Sequence, residues 1–321
     1  MTFYPGRLAV LAGLLFSLGV AAQEYPSKLV RMITGGSQGG PVDVASRVVA
    51  QRLAEIWGQP VIVETRTGAS EMIAAEAVAK AKPDGYTLLS AGNIITHNPA
   101  IFPRLPYDPA RSFAPVTLMM QSPMALVTNA KAPYNSLKDL IAEAKQRPGH
   151  LPWASAGIGT NNHITGEHFA AEAGIKVIHT PYKGSPPAAN AVLAGEVAYA
   201  IIALSSALPF ARAGTLKVFA VTTEKRTSLA PDVPTLSELG VPGIDGAVRS
   251  GLYVPAGTPE SVITKLSTEV NRILQEPATR ERFMSLGLEA LGTTPAEYEA
   301  TNRRIAAQVA KIVAHANIRV E

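Results

Sequence analysis

The sequence predicts an α/β protein of two domains, in which mostly parallel sheets are flanked by helices. Short apolar runs alternate with longer segments whose apolar residues recur at helical spacing, and this succession is typical of parallel sheets. The first unit is predicted as strand 28–34, helix 41–57, strand 60–64, helix 71–81 and strand 86–91. About 300 residues follow an N-terminal leader, and chains of that size usually form two domains.

The later elements rest on similar local signals. Ser136 can cap helix 136–146, and Gly174 can end helix 162–173. Further strands are predicted at 124–128, 176–179, 197–203, 216–222 and 251–255, and further helices at 188–194, 259–275, 277–285 and 295–315. The last helix carries an apolar stripe, formed by Tyr298, Ile305, Val309 and Ile312.

The first 22 residues predict export. Arg7 precedes the unbroken apolar run 8–20, and the small residues Ala21 and Ala22 favour cleavage before Gln23. An apolar run of roughly 7–15 residues with such flanks is typical of a secretory signal peptide and is too short to span a bilayer. We therefore expect a periplasmic protein whose mature chain is released; a membrane anchor is the alternative.

Composition excludes several functional classes. The chain has no cysteine, which rules out disulfides, thiol catalysis, zinc thiolate sites and a lipid-modified N-terminal cysteine. It has 29 basic and 25 acidic residues, a net charge of +4, and the charges are interspersed. Such a distribution offers no nucleic-acid footprint, so we expect no nucleic-acid partner.

Two glycine-rich loops, residues 34–43 and 155–162, each lead from a strand into a helix. A helix N-terminus presents unpaired N–H groups and the positive end of the peptide dipoles, so it can bind a carboxylate or a phosphate. One loop falls in each half of the chain, and the two could face each other across a cleft. The alternative is that both loops only connect strands to helices.

Motifs for catalysis and for metals are incomplete. The segment from Gly157 to Asn162 begins like a dinucleotide-binding loop but ends in asparagine, and there is no phosphate-binding P-loop or serine nucleophile elbow. His163 and Glu167 would share a helix face while His168 points elsewhere, so zinc ligands would not converge. We expect no metal, no cofactor and no catalytic residue; a secreted hydrolase or isomerase using Ser155 or His163 is the alternative.

Several strings resemble one family along nearly the whole mature chain, in order and with little insertion. They begin with residues 25–28 (YPSK) and 39–47 (GGPVDVASR) and continue with 82–89 (KPDGYTLL), 98–100 (NPA), 105–109 (LPYDP), 113–116 (FAPV), 155–160 (SAGIGT), 181–185 (PYKGS), 206–209 (SALP), 231–236 (PDVPTL) and 255–259 (PAGTP). By these strings the chain resembles the tripartite tricarboxylate transporter receptors, the Bug/TctC solute-binding proteins.

The resemblance implies a type II-like periplasmic binding protein that is not an enzyme. Residues 23–125 and 250–321 would form domain I and residues 126–249 domain II, after a signal peptide at 1–22, with a hinge crossed twice. The cleft would hold a small organic carboxylate, for uptake or sensing. Membrane transporter subunits or a sensor kinase would be the partners of a monomeric receptor, and a signalling receptor that no longer transports is a further alternative.

By the same resemblance, backbone amides and small side chains of both loops would bind the carboxylate. The implied ligand-binding residues are Gly39, Gly40, Asp43, Ala69 and Ser70 on one side, and Ser155, Ala156, Gly159, Thr160 and Ile202 on the other.

Three departures from the family pattern concern the ligand. Residues 35–38 (GGSQ) stand where the family usually has Pro-Phe-Pro-Pro, and residues 65–71 (TRTGASE) where it usually has Asn-Arg-Pro-Gly-Ala-Gly-Gly. Ile202 stands where an aspartate is frequent. We therefore expect a ligand without a positive amino group, bulkier than a small dicarboxylate because Gly36 opens the mouth of the site. Alternatively, Ile202 is a core residue that never meets the ligand.

Overall fold

The computed structural model describes residues 25–92 and 94–318. The predicted signal peptide, residues 1–22, lies outside the described residues. Across the described ranges, no helix combines the length and the apolar character needed to cross a membrane.

The described residues form ten strands and ten α-helices. The strands are β1 (Val30–Thr34), β2 (Val61–Thr65), β3 (Thr87–Ala91), β4 (Phe113–Asn129), β5 (Pro152–Ser155), β6 (Ile178–Pro181), β7 (Tyr199–Ala203), β8 (Leu216–Val221), β9 (Ala247–Pro255) and β10 (Glu289–Ala290). The helices are α1 (Pro41–Trp57), α2 (Met72–Ala79), α3 (Ile94–Ile101), α4 (Leu137–Gln146), α5 (Asn161–Ala173), α6 (Ser185–Ala194), α7 (Leu204–Arg212), α8 (Glu260–Gln275), α9 (Pro277–Ser285) and α10 (Pro295–His315).

The strands follow the order β2-β1-β3-β9-β4-β7-β5-β6, with β8 and β10 also paired to β4. The outer strands pair in parallel: β1 with β2 and β3, and β5 with β6 and β7. The central pairs, β3 with β9 and β4 with β7, β8, β9 and β10, are antiparallel. The sheet is therefore mixed rather than mostly parallel as expected, because the strands that join the two halves run against their neighbours.

The long strand β4 belongs to both halves of the molecule. Its first part, up to Pro123, pairs with β9, and its second part, from Met124, pairs with β7 and β8. The chain passes into the second half along β4 and returns between β8 and β9. This is the expected architecture of two α/β halves with two crossings.

The apolar cores follow the same division. One core combines early and late parts of the chain, including Met32, Val49, Leu252, Leu266 and Phe283, so helices near the C-terminus pack on the first half. A second core surrounds Trp153, Phe169 and Tyr199 in the other half. A third set, which we call the bridging cluster, contains Ile101 on α3, Ile164 on α5, and Ile305, Val309 and Ile312 on α10.

Candidate functional site

The carboxyl ends of β1, β2 and β3 lie at one edge of the first half, since these strands are parallel. Helix α1 begins there at Pro41, with Gly40 as its N-cap residue, and no described side chain caps it. The first-turn N–H groups of a helix have no partner within the helix. This uncapped end is therefore where an anion could be bound in the first half.

Asp43 braces the loop before α1. Its carboxylate accepts hydrogen bonds from Gly39 N (3.0 Å), from Arg47 (2.9 and 3.0 Å) and from the Thr65 hydroxyl (3.0 Å). Burial would raise the pKa of Asp43, but these hydrogen bonds outweigh it and hold the pKa below its usual value. Gly40 N–H donates to Ser37 O (2.9 Å). The Gly39 and Gly40 amides are thus already used within the loop, and Asp43 shapes the loop.

The second loop at this edge, Gly68 to Glu71, has an unusual backbone. Ala69, Ser70 and Glu71 have φ values of 46°, 51° and 65°, in the left-handed region that favours glycine. Asn98 holds this conformation, because its Nδ2 donates to Ser70 O (3.2 Å). At the end of β1, a Cβ on Gly35 would lie 2.4 Å from Glu71 Cβ, so only glycine admits the loop so close to the strand.

Glu71 extends its carboxyl group over this edge. The carboxyl accepts a backbone hydrogen bond from Gly92, at the end of β3. Its Oε2 atom is buried and has no hydrogen-bond partner among the described residues. Burial raises the pKa of Glu71 to about 7, and the Gly92 N–H offsets only part of that effect. Sequence reasoning did not select Glu71; the available signal was its replacement of a glycine usual in the family.

In the second half, Ser155 organises the glycine loop between β5 and α5. Its Oγ accepts from Gly157 N–H (3.1 Å) and lies 2.7 Å from His179 Nε2. Gly159 N–H donates to His163 Nδ1 (3.1 Å). Thr160 caps α5, since its Oγ1 accepts from His163 N (3.4 Å). Unlike α1, helix α5 begins with a side-chain cap.

The two histidines behind this loop form a stack. Their ring centroids lie 3.8 Å apart, and the His179 ring lies 4.6 Å from that of Trp153. Burial lowers the pKa of His163 to about 4, and burial together with the neighbouring His163 lowers that of His179 to about 4. Both rings are therefore neutral near neutral pH and can accept hydrogen bonds. Their contacts position the loop around Ser155 and Gly159.

The Ser155–His179 hydrogen bond resembles a serine–histidine catalytic dyad, but its setting is different. Ser155 has no exposed surface, and its Oγ is occupied within the loop. His163 Nε2 lies 3.8 Å from Glu167, whereas His168 faces Glu172 at 3.6 Å. Among the described residues, no group of three or more His, Cys, Asp or Glu side chains could hold a metal ion.

The predicted site residues fall into two groups. The edge of the first half holds five of them: Gly39, Gly40, Asp43, Ala69 and Ser70. The loop before α5 holds four: Ser155, Ala156, Gly159 and Thr160. In that loop the Ala156 carbonyl accepts a hydrogen bond from Gly184 N–H (3.1 Å). Ile202 joins neither group. Its side chain is fully buried among core residues such as Val127 and Val221. That position favours the interpretation of Ile202 as a core residue, so it supports no statement about a ligand amino group.

Comparison with known proteins places this architecture among solute receptors. A family model described as "Tripartite tricarboxylate transporter family receptor" matches residues 45–317. A UPF0065 protein of Bordetella bronchiseptica is 36% identical over 98% of this chain and 94% of its own length. Protein BugT of Bordetella pertussis is 35% identical over 90% of each chain.

The chain is also similar to solved structures of solute-binding proteins. The R. palustris protein Rpa4515, solved with adipate, has 32% identity and a TM-score of 0.76, over 92% of this chain and all of its own. MatC of Rhodopseudomonas palustris, solved with malate, has 29% identity and a TM-score of 0.72, over 90% of this chain and all of its own. The expected two-domain periplasmic binding-protein fold is therefore confirmed, and the chain belongs to the family of tripartite tricarboxylate transporter receptors, the Bug/TctC proteins.

Proposed function

We propose that this protein is a periplasmic receptor that captures a small organic carboxylate between its two halves and delivers it for uptake or sensing. It acts by binding and does not catalyse a reaction. Its family membership supports this function, as do relatives solved with adipate and with malate. Membrane transporter subunits or a sensor kinase would receive the loaded form.

One observation carries the proposal. Helix α1 begins without a side-chain cap at the carboxyl edge of three parallel strands. Its first-turn N–H groups can bind a ligand carboxylate. Asp43 does not cap them, because its own carboxylate is held by Arg47 and Thr65. We propose that Gly39, Gly40, Asp43, Ala69 and Ser70 shape this half of the site.

The second half of the site would come from the loop that Ser155 organises. We propose that Ser155, Ala156, Gly159 and Thr160 shape the part of the site that holds the other end of the ligand. The stacked histidines support binding rather than turnover, because they keep Ser155 buried and its hydroxyl engaged. A nucleophilic serine would need a hydroxyl that is free to attack its substrate.

The first test is a thermal-shift screen of the mature protein, beginning at Gln23, against mono-, di- and tricarboxylates and aromatic acids. A ligand at 100 times its dissociation constant stabilises a native protein by about 2.7 kcal/mol, which raises the melting temperature by a few degrees. We expect a hit whose ligand is recovered unchanged. A flat response to the whole panel, or conversion of the ligand, would contradict the proposal.

A pair of charge variants tests the position of the site. Gln38→Glu places a negative charge on the exposed loop before α1, whereas Gln51→Glu adds the same charge on the exposed face of that helix, nine residues further along than Val42. We expect Gln38→Glu to weaken carboxylate binding by about tenfold and Gln51→Glu to leave it nearly unchanged, since repulsion falls with distance and screening. Equal effects of the two variants would count against an anion site at α1.

A further inference from the structure

Two buried acceptor oxygens at the first edge lack a donor. They are Oε2 of Glu71 and Oδ1 of Asn98, neither of which has a hydrogen-bond partner among the described residues. Buried polar groups in native proteins are almost always hydrogen bonded, and an unpaired one is costly. Asn98 also contacts the loop that carries Glu71, because its Nδ2 donates to the carbonyl of Ser70, the preceding residue.

The Glu71 carboxyl group lies near the proposed anion site. Glu71 packs over Gly35 at the end of β1 and accepts a hydrogen bond from Gly92 at the end of β3. A Cβ on Gly92 would lie 3.6 Å from the side chain of Val42, in the first turn of α1. Gly92 therefore neighbours both the Glu71 carboxyl group and the first turn of α1.

The cationic and donor groups nearby are already engaged. Arg47 binds Asp43, Arg66 binds Glu64, and the Asn98 amide donates to Ser70 O and to the Tyr107 hydroxyl (3.1 Å). No charged side chain contributes to the pKa of Glu71, which burial raises and the Gly92 N–H partly lowers. Among the described side chains, none therefore donates to these two oxygens when Glu71 is ionised.

We propose that Glu71 is a specificity-determining residue of the carboxylate site. Its Oε2 accepts a hydrogen bond from a hydroxyl or protonated amino group carried by the ligand, while the start of α1 binds the ligand carboxylate. A ligand without such a donor leaves the buried acceptor unpaired and is bound more weakly. This inference rests on the proposed function and narrows its ligand class to hydroxy or amino carboxylic acids.

The choice of glutamate at this position agrees with such a role. Glu71 has a φ of 65°, where glycine would be unstrained, and the resembled family usually has glycine there. A strained residue with a buried, unpaired carboxyl oxygen reduces stability, and groups of this kind concentrate at ligand-binding sites.

The test compares matched acids on the full mature protein by calorimetry. Succinate, malate and aspartate form one series, and adipate, 2-hydroxyadipate and 2-aminoadipate form a longer one. The wild type should bind the hydroxy or the amino member about tenfold or more tightly than the unsubstituted acid, as expected for a hydrogen bond to a charged group. The member that binds best identifies the donor.

Variants show whether Glu71 causes this preference. In Glu71→Gly the advantage of the donor-bearing acid should fall to about threefold or less, whereas Glu71→Gln should lose most of any preference for the amino acid, because the charge is gone. Glu76→Gln, on α2, is the control and should leave all ratios unchanged.

Two results would overturn the inference while leaving the receptor function intact. One is equal binding of all members of a series by the wild type; the other is a donor preference that persists in Glu71→Gly. If the wild type binds another acid of the thermal-shift panel but no member of either series, the inference fails and the receptor function stands; if it binds no acid of the panel, the proposed function itself loses its support.

Discussion

At the scale of single residues, Glu71 should make the stability of the protein depend on pH. Its pKa rises from 4.5 to about 7 on folding, so the folded state holds the proton more tightly than the unfolded state. The stabilisation is complete below pH 4.5 and is lost as pH rises through 7, by about 3 kcal/mol in total. We expect the free energy of unfolding of the wild type to decrease over this window relative to that of Glu71→Gln. Urea titrations at both ends would measure it, and parallel pH profiles for the two proteins would contradict it.

Ser155 is the residue at which binding and catalysis make opposite predictions. Ser155→Ala removes the acceptor for Gly157 N–H and the contact with His179. We expect a loss of about 1–2 kcal/mol of stability and weaker carboxylate binding, because the loop loses its internal bonds. Any background hydrolysis of a test ester should stay unchanged. Ser237→Ala, at an exposed position, is the control, and a loss of hydrolysis confined to Ser155→Ala would revive the enzyme alternative.

At the scale of elements, the histidine stack connects α5 to β6 and should be sensitive to acid. Burial lowers the pKa of His163 and His179 from 6.5 to about 4. The unfolded state therefore takes up protons first as pH falls, and the stability present above pH 6.5 is lost towards pH 4. In the Glu71→Gln background, where the opposing effect of Glu71 is absent, the melting temperature should fall steadily over this window. A flat profile would mean that the rings are not buried as neutral groups.

Helix α5 also depends on a close contact with β5. A Cβ on Gly166 would lie 1.9–2.7 Å from three atoms of the Trp153 indole ring, although alanine is otherwise the better helix residue. We expect Gly166→Ala to destabilise the protein by about 1–3 kcal/mol, as overpacking does. Trp153→Phe should rescue part of this loss, because it removes the clashing ring. Additive effects in the double variant, measured by urea unfolding, would show that the contact is not the cause.

The sequence predicted elements whose signals are local. Helix 41–57 was correct at both ends, because its apolar spacing and the left-handed cap at Gly58 need no distant partner. Helices α3 and α7 were missed, since each contains a proline, at positions 99 and 209, which disfavours a helix by propensity. Only the last part of β4 was predicted, because Pro115 and Pro123 interrupt the strand pattern of a segment that pairs with two different partner sets.

The candidate site, too, could be predicted from the sequence only where its signals are local. The glycine loops could be found from the sequence because each immediately precedes a helix. Glu71 could not be selected, since its buried oxygen depends on Gly35 and Gly92, which come from other strands. Ile202 was chosen from a family position, and its burial depends on the packing of the second half.

At the scale of the whole molecule, the two halves are joined by more than a flexible linker. Strand β4 hydrogen bonds to β9 in one half and to β7 and β8 in the other. Helix α10 adds the bridging cluster and two polar contacts, from Arg304 to Asp245 (2.7 Å) and from Gln308 to Gly243 O (2.8 Å). The halves therefore share both a strand and a buried apolar surface.

This shared structure should make the two halves unfold together. The chain has two tryptophans, and Trp57 packs against the first core while Trp153 lies in the second. In Trp57→Phe, fluorescence reports only the second half, and in Trp153→Phe only the first, whereas circular dichroism reports both. Within each variant the two signals should follow one urea transition, because coincident probes indicate two-state unfolding. Separate midpoints for fluorescence and circular dichroism would show that β4 and α10 do not couple the halves, and that each folds as an independent unit.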